Sequence, residues 1–229
     1  MFEIVPNHLA IILDGNRRWA RLRGLNTLEG HKKGFNTLID LLKHCKKRNI
    51  KILSVFAFST ENFKRTKEEV DYLMKLFITG FKSKKKELLE ENIKVVFSGT
   101  QKNLNDKVIE VMKEITNLTK DKTGPIFNVC LNYGGHQEII DAFKKMAQNN
   151  INFDDIDEDT VSKYLYQDLP PIDYLIRTSG EIRISNFMLW QLSYAEMYFT
   201  ETLFPDFNEV KLDEALKEYE KRNRRFGGN

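Results

Sequence analysis

The sequence predicts an α/β protein built on a mostly parallel sheet. Two observations predict this class: short apolar segments alternate with longer segments of helical periodicity, and polar residues cluster where the apolar segments end. No repeat, Pro/Gly-rich linker or low-complexity tract interrupts this alternation. A chain of 229 residues is long enough to bury one large core, so we expect residues 1–229 to form a single domain.

The individual elements follow from periodicity and turn residues. Strands are predicted over 8–14, 52–58, 93–98, 126–132, 174–177 and 196–200. Helices are predicted over 28–48, 67–91, 105–120, 137–148, 159–166 and 211–224, with a helix-forming sequence also following Arg18. The helix over 67–91 follows Thr66 and carries Glu69 three residues later, the pattern of a capping box. Its apolar residues, at helical spacing, predict either a core face or the wall of a cavity for an apolar ligand.

Composition excludes several classes of protein. The chain is 41% hydrophobic and 30% charged, has no apolar run of transmembrane length and lacks an N-terminal signal peptide pattern. We therefore expect a cytoplasmic protein, in which Cys45 and Cys130 are reduced packing residues. A net charge of +3 without a recognisable motif gives no case for nucleic acid.

The first predicted strand ends in a pattern that suits a diphosphate. A lone carboxylate, Asp14, is followed by Gly15, Asn16, Arg17 and Arg18 at the start of a predicted helix. Ligands of open α/β sheets lie beyond the carboxyl ends of the strands, and a helix that starts there favours anions. Asp14 could hold Mg²⁺ while the arginines hold phosphate oxygens. The segment alone is equally compatible with an Asp-Gly turn before a solvated basic helix.

Three further strand ends carry polar residues, at 58–65, 132–135 and 177–186. Each stretch alone is compatible with ordinary turn chemistry. In a doubly wound sheet, however, these loops can converge on one edge and form a single pocket. That pocket would combine one acid with several arginines, which suits two diphosphates.

Other features are interpreted as structural. The lysines at 82–86 are followed by glutamates, which favours a solvated helix face over a weak anchor to an anionic membrane. The acidic run 154–159 departs from the aspartate-rich motif of all-helical isoprenoid synthases and is interpreted as a solvated loop leading into a helix. A lone His31 is more often a capping or packing residue, and the histidines show no metal-ligand spacing.

A family resemblance rests on eight segments in order: 8–20, 30–34, 56–65, 132–135, 176–191, 194–199, 205–207 and 224–228. With them the chain resembles the cis-prenyltransferases of the undecaprenyl diphosphate synthase type. The resemblance implies a parallel sheet with helices around an apolar tunnel, paired as a homodimer. It also implies that farnesyl diphosphate is extended with isopentenyl diphosphate units, with Mg²⁺ as cofactor. Peripheral contact with the inner face of a membrane would let the product leave.

The resemblance assigns roles residue by residue. Asp14 matches the essential metal-linked aspartate, and Glu196 an acid near the metal of the isopentenyl diphosphate site. The allylic diphosphate site corresponds to Gly15, Asn16, Arg17, Arg18, Trp19, His31 and Arg65. A segment beside the reacting carbons corresponds to Ser59, Thr60, Glu61, Asn62 and Phe63. The expected catalytic residues are Asp14, His31, Ser59 and Asn62. The isopentenyl diphosphate site corresponds to Arg177, Arg183 and Ser185, with Glu181 in support, and Arg225 and Gly227 match a C-terminal segment that reaches the partner subunit's substrate.

The chain departs from the bacterial pattern at several positions. Thr27 stands where bacterial members often carry Arg, and Arg17 where many carry Gly. We therefore hypothesise that Arg17 supplies the charge that Thr27 does not. A non-catalytic scaffold subunit is the alternative function, but Asp14, Asn16 and Arg18, which scaffolds typically lack, argue against it. Product length stays open, with short-chain and dolichol-type synthases as the alternatives.

Overall fold

A six-stranded parallel sheet forms the centre of the protein. The computed structural model describes residues 2–222, and the strand order is β3-β4-β2-β1-β5-β6. Every neighbouring pair runs parallel. The strands are β1 His8–Ile12, β2 Ile52–Ser59, β3 Lys94–Ser98, β4 Ile126–Tyr133, β5 Tyr174–Arg177 and β6 Glu196–Phe199. The predicted fold class is confirmed.

Seven α-helices connect and cover the strands in the described part of the chain. They are α1 Asn16–Leu22, α2 Thr27–Lys47, α3 Lys67–Glu90, α4 Asp106–Thr119, α5 Gly135–Gln148, α6 Glu158–Tyr164 and α7 Glu209–Glu220. Short 3₁₀ helices at Thr60–Lys64, Phe153–Asp155 and Phe204–Asp206 were not predicted from the sequence.

Several predicted boundaries need correction. The first strand ends at Ile12 rather than at residue 14, because the Asp14 N–H turns back to donate to the Ile12 carbonyl at 3.0 Å. The last helix begins at Glu209, two residues early, because Asn208 caps it, and it ends at Glu220. The helix predicted to reach residue 166 ends at Tyr164, because the Tyr166 N–H donates to the Glu138 carboxylate instead.

The capping box predicted for α3 is only half formed. The Thr66 hydroxyl accepts from the Glu69 N–H at 3.3 Å, as the pattern requires. The Glu69 carboxylate does not return to the backbone; it binds His31 and Arg65 instead. A residue that the sequence assigns to helix capping therefore contacts two predicted site residues.

The central strands are buried on both faces, as expected for a parallel sheet covered by helices. His8 is fully buried, and its ring bonds to the Pro170 carbonyl and the Ser54 hydroxyl at 2.8 and 2.7 Å. Desolvation lowers the pKa of His8 to about 4, so this histidine is neutral in the core. Cys45 and Cys130 are free and buried, which confirms them as packing residues.

Two surface interpretations are also confirmed. Lys84, Lys85 and Lys86 each pair with a glutamate at 2.8, 2.9 and 3.6 Å, as expected for a solvated helix face. The acidic run is exposed, and Asp157 caps α6 through the Thr160 N–H at 2.7 Å. Among residues 2–222, no helix is long and apolar enough to cross a membrane.

Candidate active site

The strand order brings four polar loops to one edge of the sheet. β4, β2, β1 and β5 are neighbours, so the segments that follow them lie side by side at their carboxyl ends. Asp14 is held there through its backbone carbonyl, which accepts from the Phe204 N–H at 2.9 Å and the Thr178 hydroxyl at 2.7 Å. The tertiary structure therefore fixes the backbone of Asp14 and leaves its carboxylate, 39% exposed, for other partners.

Asp14 and Arg177 form a direct ion pair. The Arg177 guanidinium donates to one carboxylate oxygen of Asp14 from Nε at 3.0 Å and from Nη2 at 2.6 Å. Its third nitrogen donates to the Arg183 carbonyl and to the Ser185 hydroxyl, the latter at 2.8 Å. The Arg177 side chain is only 3% exposed, so its charge depends on these partners. The resemblance assigns Asp14 to the metal and Arg177 to the isopentenyl diphosphate site, and the structure shows that these two side chains are in direct contact.

Glu181 lies between two exposed arginines of these sites. It pairs with Arg183 at 2.5 Å and with Arg18 at 3.4 Å, and Arg18 also donates to the Ser179 carbonyl at 3.0 Å. The hydrogen bond and charge of Arg183 lower the pKa of Glu181. Glu181 therefore bridges the residues expected to hold the two diphosphates.

Close packing of α1 on α2 positions Asn16. A Cβ at Gly30 would lie 2.0 Å from the Asn16 carbonyl, and a Cβ at Gly34 would lie 2.1 Å from the Asn16 Oδ1 atom. Only glycine permits this approach at both positions. The Asn16 side chain donates to the Leu13 carbonyl at 2.9 Å, but its buried Oδ1 has no partner among the described residues. An unpaired buried acceptor beside Asp14 fits a site that a ligand completes.

A second cluster gathers three basic residues around the buried Glu69. His31 contacts one carboxylate oxygen at 3.3 Å and Arg65 contacts the same oxygen at 3.0 Å, while Arg17 lies 3.8 Å from the other. Burial, assisted by the charge of Arg65, lowers the pKa of His31. Glu69 was missed as a site residue, although its position in the Thr66 motif had singled it out.

The segment after β2 forms a tight 3₁₀ turn. The Ser59 N–H donates to the Asn62 Oδ1 at 3.2 Å, and the Ser59 side chain accepts from the Asn62 backbone, a reciprocal capping box. Phe63 turns inward and packs edge-on against Phe58, with ring centroids 5.0 Å apart. Ser59 and Asn62 are therefore fixed relative to each other before any ligand arrives.

These polar side chains share one cavity of about 600 Å³ with apolar ones. The polar lining includes Asp14, Asn16, His31, Ser59, Glu61, Asn62, Arg65, Arg177 and Ser185. The apolar lining includes Phe35, Leu38, Phe58, Leu73, Met74, Phe77, Phe81, Val129 and Leu131. The apolar face of α3 thus belongs both to the core and to the cavity wall, which resolves the alternative left open by the sequence.

Eight predicted site residues in the described part of the chain do not line this cavity: Gly15, Arg17, Arg18, Trp19, Thr60, Phe63, Arg183 and Glu196. Trp19 and Glu196 have other partners. The Trp19 ring nitrogen donates to the Asp206 carboxylate at 2.7 Å, and the Arg23 guanidinium lies over the same ring. The Trp19 ring therefore contacts residues that do not line the cavity. Glu196 begins β6 opposite Tyr174, whereas Arg177 aligns with the other end of that strand. Three residues of strand separate the two levels by about 10 Å. Glu196 therefore lies toward the amino edge of the sheet.

Glu196 also has its own partner, Arg222, at 2.6 Å. Within one subunit, the parallel pairing of β1, β5 and β6 places Glu196 and Asp14 at opposite ends of the strands, and the role of Glu196 near the metal of the isopentenyl diphosphate site stays a prediction. No cluster of three or more metal-ligating side chains occurs in residues 2–222. Arg225 and Gly227 lie outside the described residues.

Comparison with known proteins shows the same family along the chain. The prenyltransferase family model, described as undecaprenyl diphosphate synthase, matches residues 12–227. An isoprenyl transferase of Fusobacterium nucleatum is 43% identical, covering 100% of this chain and 98% of its own length. A ditrans,polycis-undecaprenyl-diphosphate synthase of Vibrio vulnificus, described as farnesyl-diphosphate specific, is 45% identical, covering 98% of this chain and 92% of its own.

Solved structures agree with these relatives. Lavandulyl diphosphate synthase from Lavandula x intermedia, solved with dimethylallyl diphosphate, gives a TM-score of 0.93 at 38% identity and covers 97% of this chain and 98% of its own. An undecaprenyl diphosphate synthase from Campylobacter jejuni gives 0.84 at 32% identity, with 98% and 99% covered. The fold is that of a cis-prenyltransferase. The chain belongs to the undecaprenyl diphosphate synthase family.

Proposed function

We propose that this enzyme extends farnesyl diphosphate with isopentenyl diphosphate units into a long-chain polyprenyl diphosphate, undecaprenyl diphosphate. The observation that carries the proposal is the cavity itself, whose walls combine Asp14, Arg177, His31 and Arg65 with phenylalanine and leucine side chains. A diphosphate needs the first set of residues, and a growing prenyl chain needs the second. Burial contributes about 0.8 kcal/mol per methylene, so the cavity wall can bind the chain.

The polar residues divide between two diphosphates. The loop of Gly15, Asn16, Arg17 and Arg18 and the bases His31 and Arg65 suit the allylic diphosphate. Arg177, Arg183 and Ser185 suit isopentenyl diphosphate. Charge-assisted hydrogen bonds from arginine are the strong ones for phosphate oxygens. Because Asp14 touches Arg177, this division brings both diphosphates to the same carboxylate.

We propose Asp14 as the protein ligand of Mg²⁺. Mg²⁺ is usually bound by one or two carboxylates together with substrate phosphates, rather than by an all-protein cage. A single partly exposed carboxylate fits that pattern. The ion would offset the charge of the departing diphosphate. Arg177 and the residues that orient it would hold the phosphates in place.

Ser59 and Asn62 are proposed to hold the reacting ends of the two substrates. Their mutual hydrogen bonds fix them on the wall of the cavity that Arg65 and Arg177 also line. Fixed polar groups of this kind lower the entropic cost of bringing two reactants together. Their removal should therefore reduce kcat more than substrate affinity.

Assembly and location are also proposals. We infer a homodimer in which Arg225 and Gly227 reach the partner's substrate, a cytoplasmic location, and peripheral contact with the inner face of the membrane for product release. Light scattering would show a monomer mass if the dimer is wrong. Recovery of the protein from fractionated cells without any membrane-associated portion would contradict the contact.

Incubation with farnesyl diphosphate, labelled isopentenyl diphosphate and Mg²⁺ tests the function. We expect labelled products that chromatography sizes as long-chain polyprenyl diphosphates, with turnover stopped by EDTA and restored by Mg²⁺. Products of one or two condensations would instead favour a short-chain synthase. The structural similarity to lavandulyl diphosphate synthase is the reason to test for this class. Absence of any product from the folded chain would favour the scaffold alternative.

A further inference from the structure

Asn186 stands at the junction of three loops that end at the active site. It follows Ser185, which accepts from Arg177, but none of the contacts described so far involves Asn186 itself. Its carbonyl accepts from the Gly135 N–H at 2.7 Å, and its side-chain Oδ1 accepts from the His136 N–H at 2.9 Å. Its Nδ2 donates to the Glu61 carboxylate at 3.1 Å.

Two of these contacts cap helix α5 from a distant part of the chain. The first amides of a helix have no partner within the helix, and a side chain at the N-cap position usually accepts from them. The N-cap residue of α5 is Gly134, which has no side chain to do so. Asn186, about fifty residues further along the chain, supplies both acceptors instead.

The glycines of this junction permit the approach. A Cβ at Gly134 would lie 2.8 Å from the Thr60 hydroxyl and 3.0 Å from Asn186 Nδ2, and a Cβ at Gly135 would lie 3.2 Å from the Asn186 carbonyl. Asn186 itself has a φ of 61°, in the left-handed region that asparagine tolerates better than most residues. The missing Cβ atoms of Gly134 and Gly135 and the left-handed backbone of Asn186 therefore both allow these hydrogen bonds.

The third contact reaches the segment that carries Ser59 and Asn62. Glu61 belongs to the 3₁₀ helix between them, and hydrogen bonds from its own backbone N–H, Asn186 and Ser59 lower the pKa of Glu61 although partial burial opposes the shift. The carboxylate is therefore an ionised acceptor for the Asn186 amide. Asn186 thus ties the loop after β2 to the loop after β4 and to its own loop after β5.

We propose that Asn186 is a positioning residue. It fixes the position of the Ser59–Asn62 turn relative to the arm, which is the loop of residues 177–185 after β5. This inference rests on the proposed function, in which that turn faces the reacting carbons and that arm holds isopentenyl diphosphate. Asn186 also lines the cavity, but its three hydrogen bonds are with protein groups, and it acts through them. A change in the position of the turn relative to the arm should therefore lower kcat, because a misplacement of about 1 Å can cost about a hundredfold in rate.

Paired substitutions at Asn186 and Glu61 test the proposal. Asn186→Asp keeps the acceptor for the His136 N–H and tolerates the positive φ, but it sets a carboxylate against that of Glu61. We expect kcat to fall about tenfold or more, with a smaller change in KM for isopentenyl diphosphate, because Arg177 and Arg183 are untouched. Adding Glu61→Gln restores a donor–acceptor pair and should recover much of the lost kcat.

A matched control and a readout that does not depend on turnover complete the design. Asn105 caps α4 through the Val108 N–H at 3.0 Å and lies outside the site, so Asn105→Ala removes an asparagine cap without a loss of kcat. In hydrogen exchange, Asn186→Ala should expose the amide of His136, whose acceptor is the Asn186 side chain, and raise exchange across residues 60–64. The Gly135 amide keeps the backbone carbonyl of residue 186 as its acceptor. These measurements apply even if the wild-type chain makes no polyprenyl product, an outcome that would defeat the proposed function alone.

Three results would overturn the inference. The first is unchanged exchange over residues 60–64 in Asn186→Ala, which would show that the junction does not hold the Ser59–Asn62 turn. The second is a multiplicative loss of kcat in the double variant, with no recovery, which would show that Asn186 and Glu61 act independently. The third is a loss of kcat no larger than the decrease in Tm accounts for, with Asn105→Ala as the reference for a lost helix cap.

Discussion

Removal of the Asp14 carboxylate should weaken the fold as well as the activity. A carboxylate at a strand end would ordinarily contribute little to stability, but Asp14 is the acidic partner of the almost fully buried Arg177 guanidinium. Asp14→Ala leaves that charge with only the Arg183 carbonyl and the Ser185 hydroxyl. Asp14→Ala should therefore lower the free energy of unfolding, because the buried Arg177 charge loses its acidic partner.

The magnitude can be estimated from the burial of the two partners. Breaking a buried ion pair by removing one partner costs about 3–5 kcal/mol. Asp14 is 39% exposed, so solvent screens the pair and the cost falls to about 2 kcal/mol. For a domain of this size that corresponds to a decrease in Tm of about 4–8 °C.

Urea denaturation followed by circular dichroism measures this change. Arg177→Met alone should cost less than Asp14→Ala, because it leaves Asp14 half exposed to water. The double variant should be more stable than the Asp14→Ala protein, because it no longer buries an unpaired charge. Equal stability of Asp14→Ala and the wild type would refute the reasoning, as would additive losses in the double variant.

Three further outcomes are expected. Arg183→Ala should raise the apparent KM for isopentenyl diphosphate about tenfold, since a lost charge-assisted hydrogen bond costs about 1.5–3 kcal/mol; a change confined to farnesyl diphosphate would mean that the two sites are assigned the wrong way round. Arg17→Gly should weaken farnesyl diphosphate binding, and added Thr27→Arg should recover much of the loss; independent effects of the two changes would remove the case for compensation. The unfolded chain protonates His8 near pH 6.5 but the folded chain only near 4, so stability falls as pH drops through this window, by about 2 kcal/mol at pH 5. Denaturation at pH 7 and 5 should show a smaller loss in His8→Gln, and equal losses would contradict the assignment.

Some of the site follows from the sequence because it is local. A carboxylate within two residues of the end of a buried strand, as at Asp14, must lie at the carboxyl edge of a parallel sheet wherever that strand is placed. The same local reasoning identified Arg177 and the turn after β2. Helical periodicity likewise predicted α3 together with its apolar face, because the spacing of side chains on a helix is a property of the chain itself.

Other features depend on which elements become neighbours. The sequence assigned Glu69 to a capping box, and only the packing of α3 beside α2 turned its carboxylate toward His31. Glu196 matches a metal-site acid in sequence, yet the parallel register of β6 places it at the opposite edge from Asp14.

The chain by itself determined the alternation of elements, the position of polar residues at strand ends and the family to which they belong, since these depend on residue order and local spacing. Tertiary structure alone decided that Arg177 neutralises Asp14, and that Asn186 caps a helix about fifty residues away. The physical reason is that ion pairs and hydrogen bonds act over about 3 Å. Sequence separation carries no information about such distances until the sheet has set the strand order.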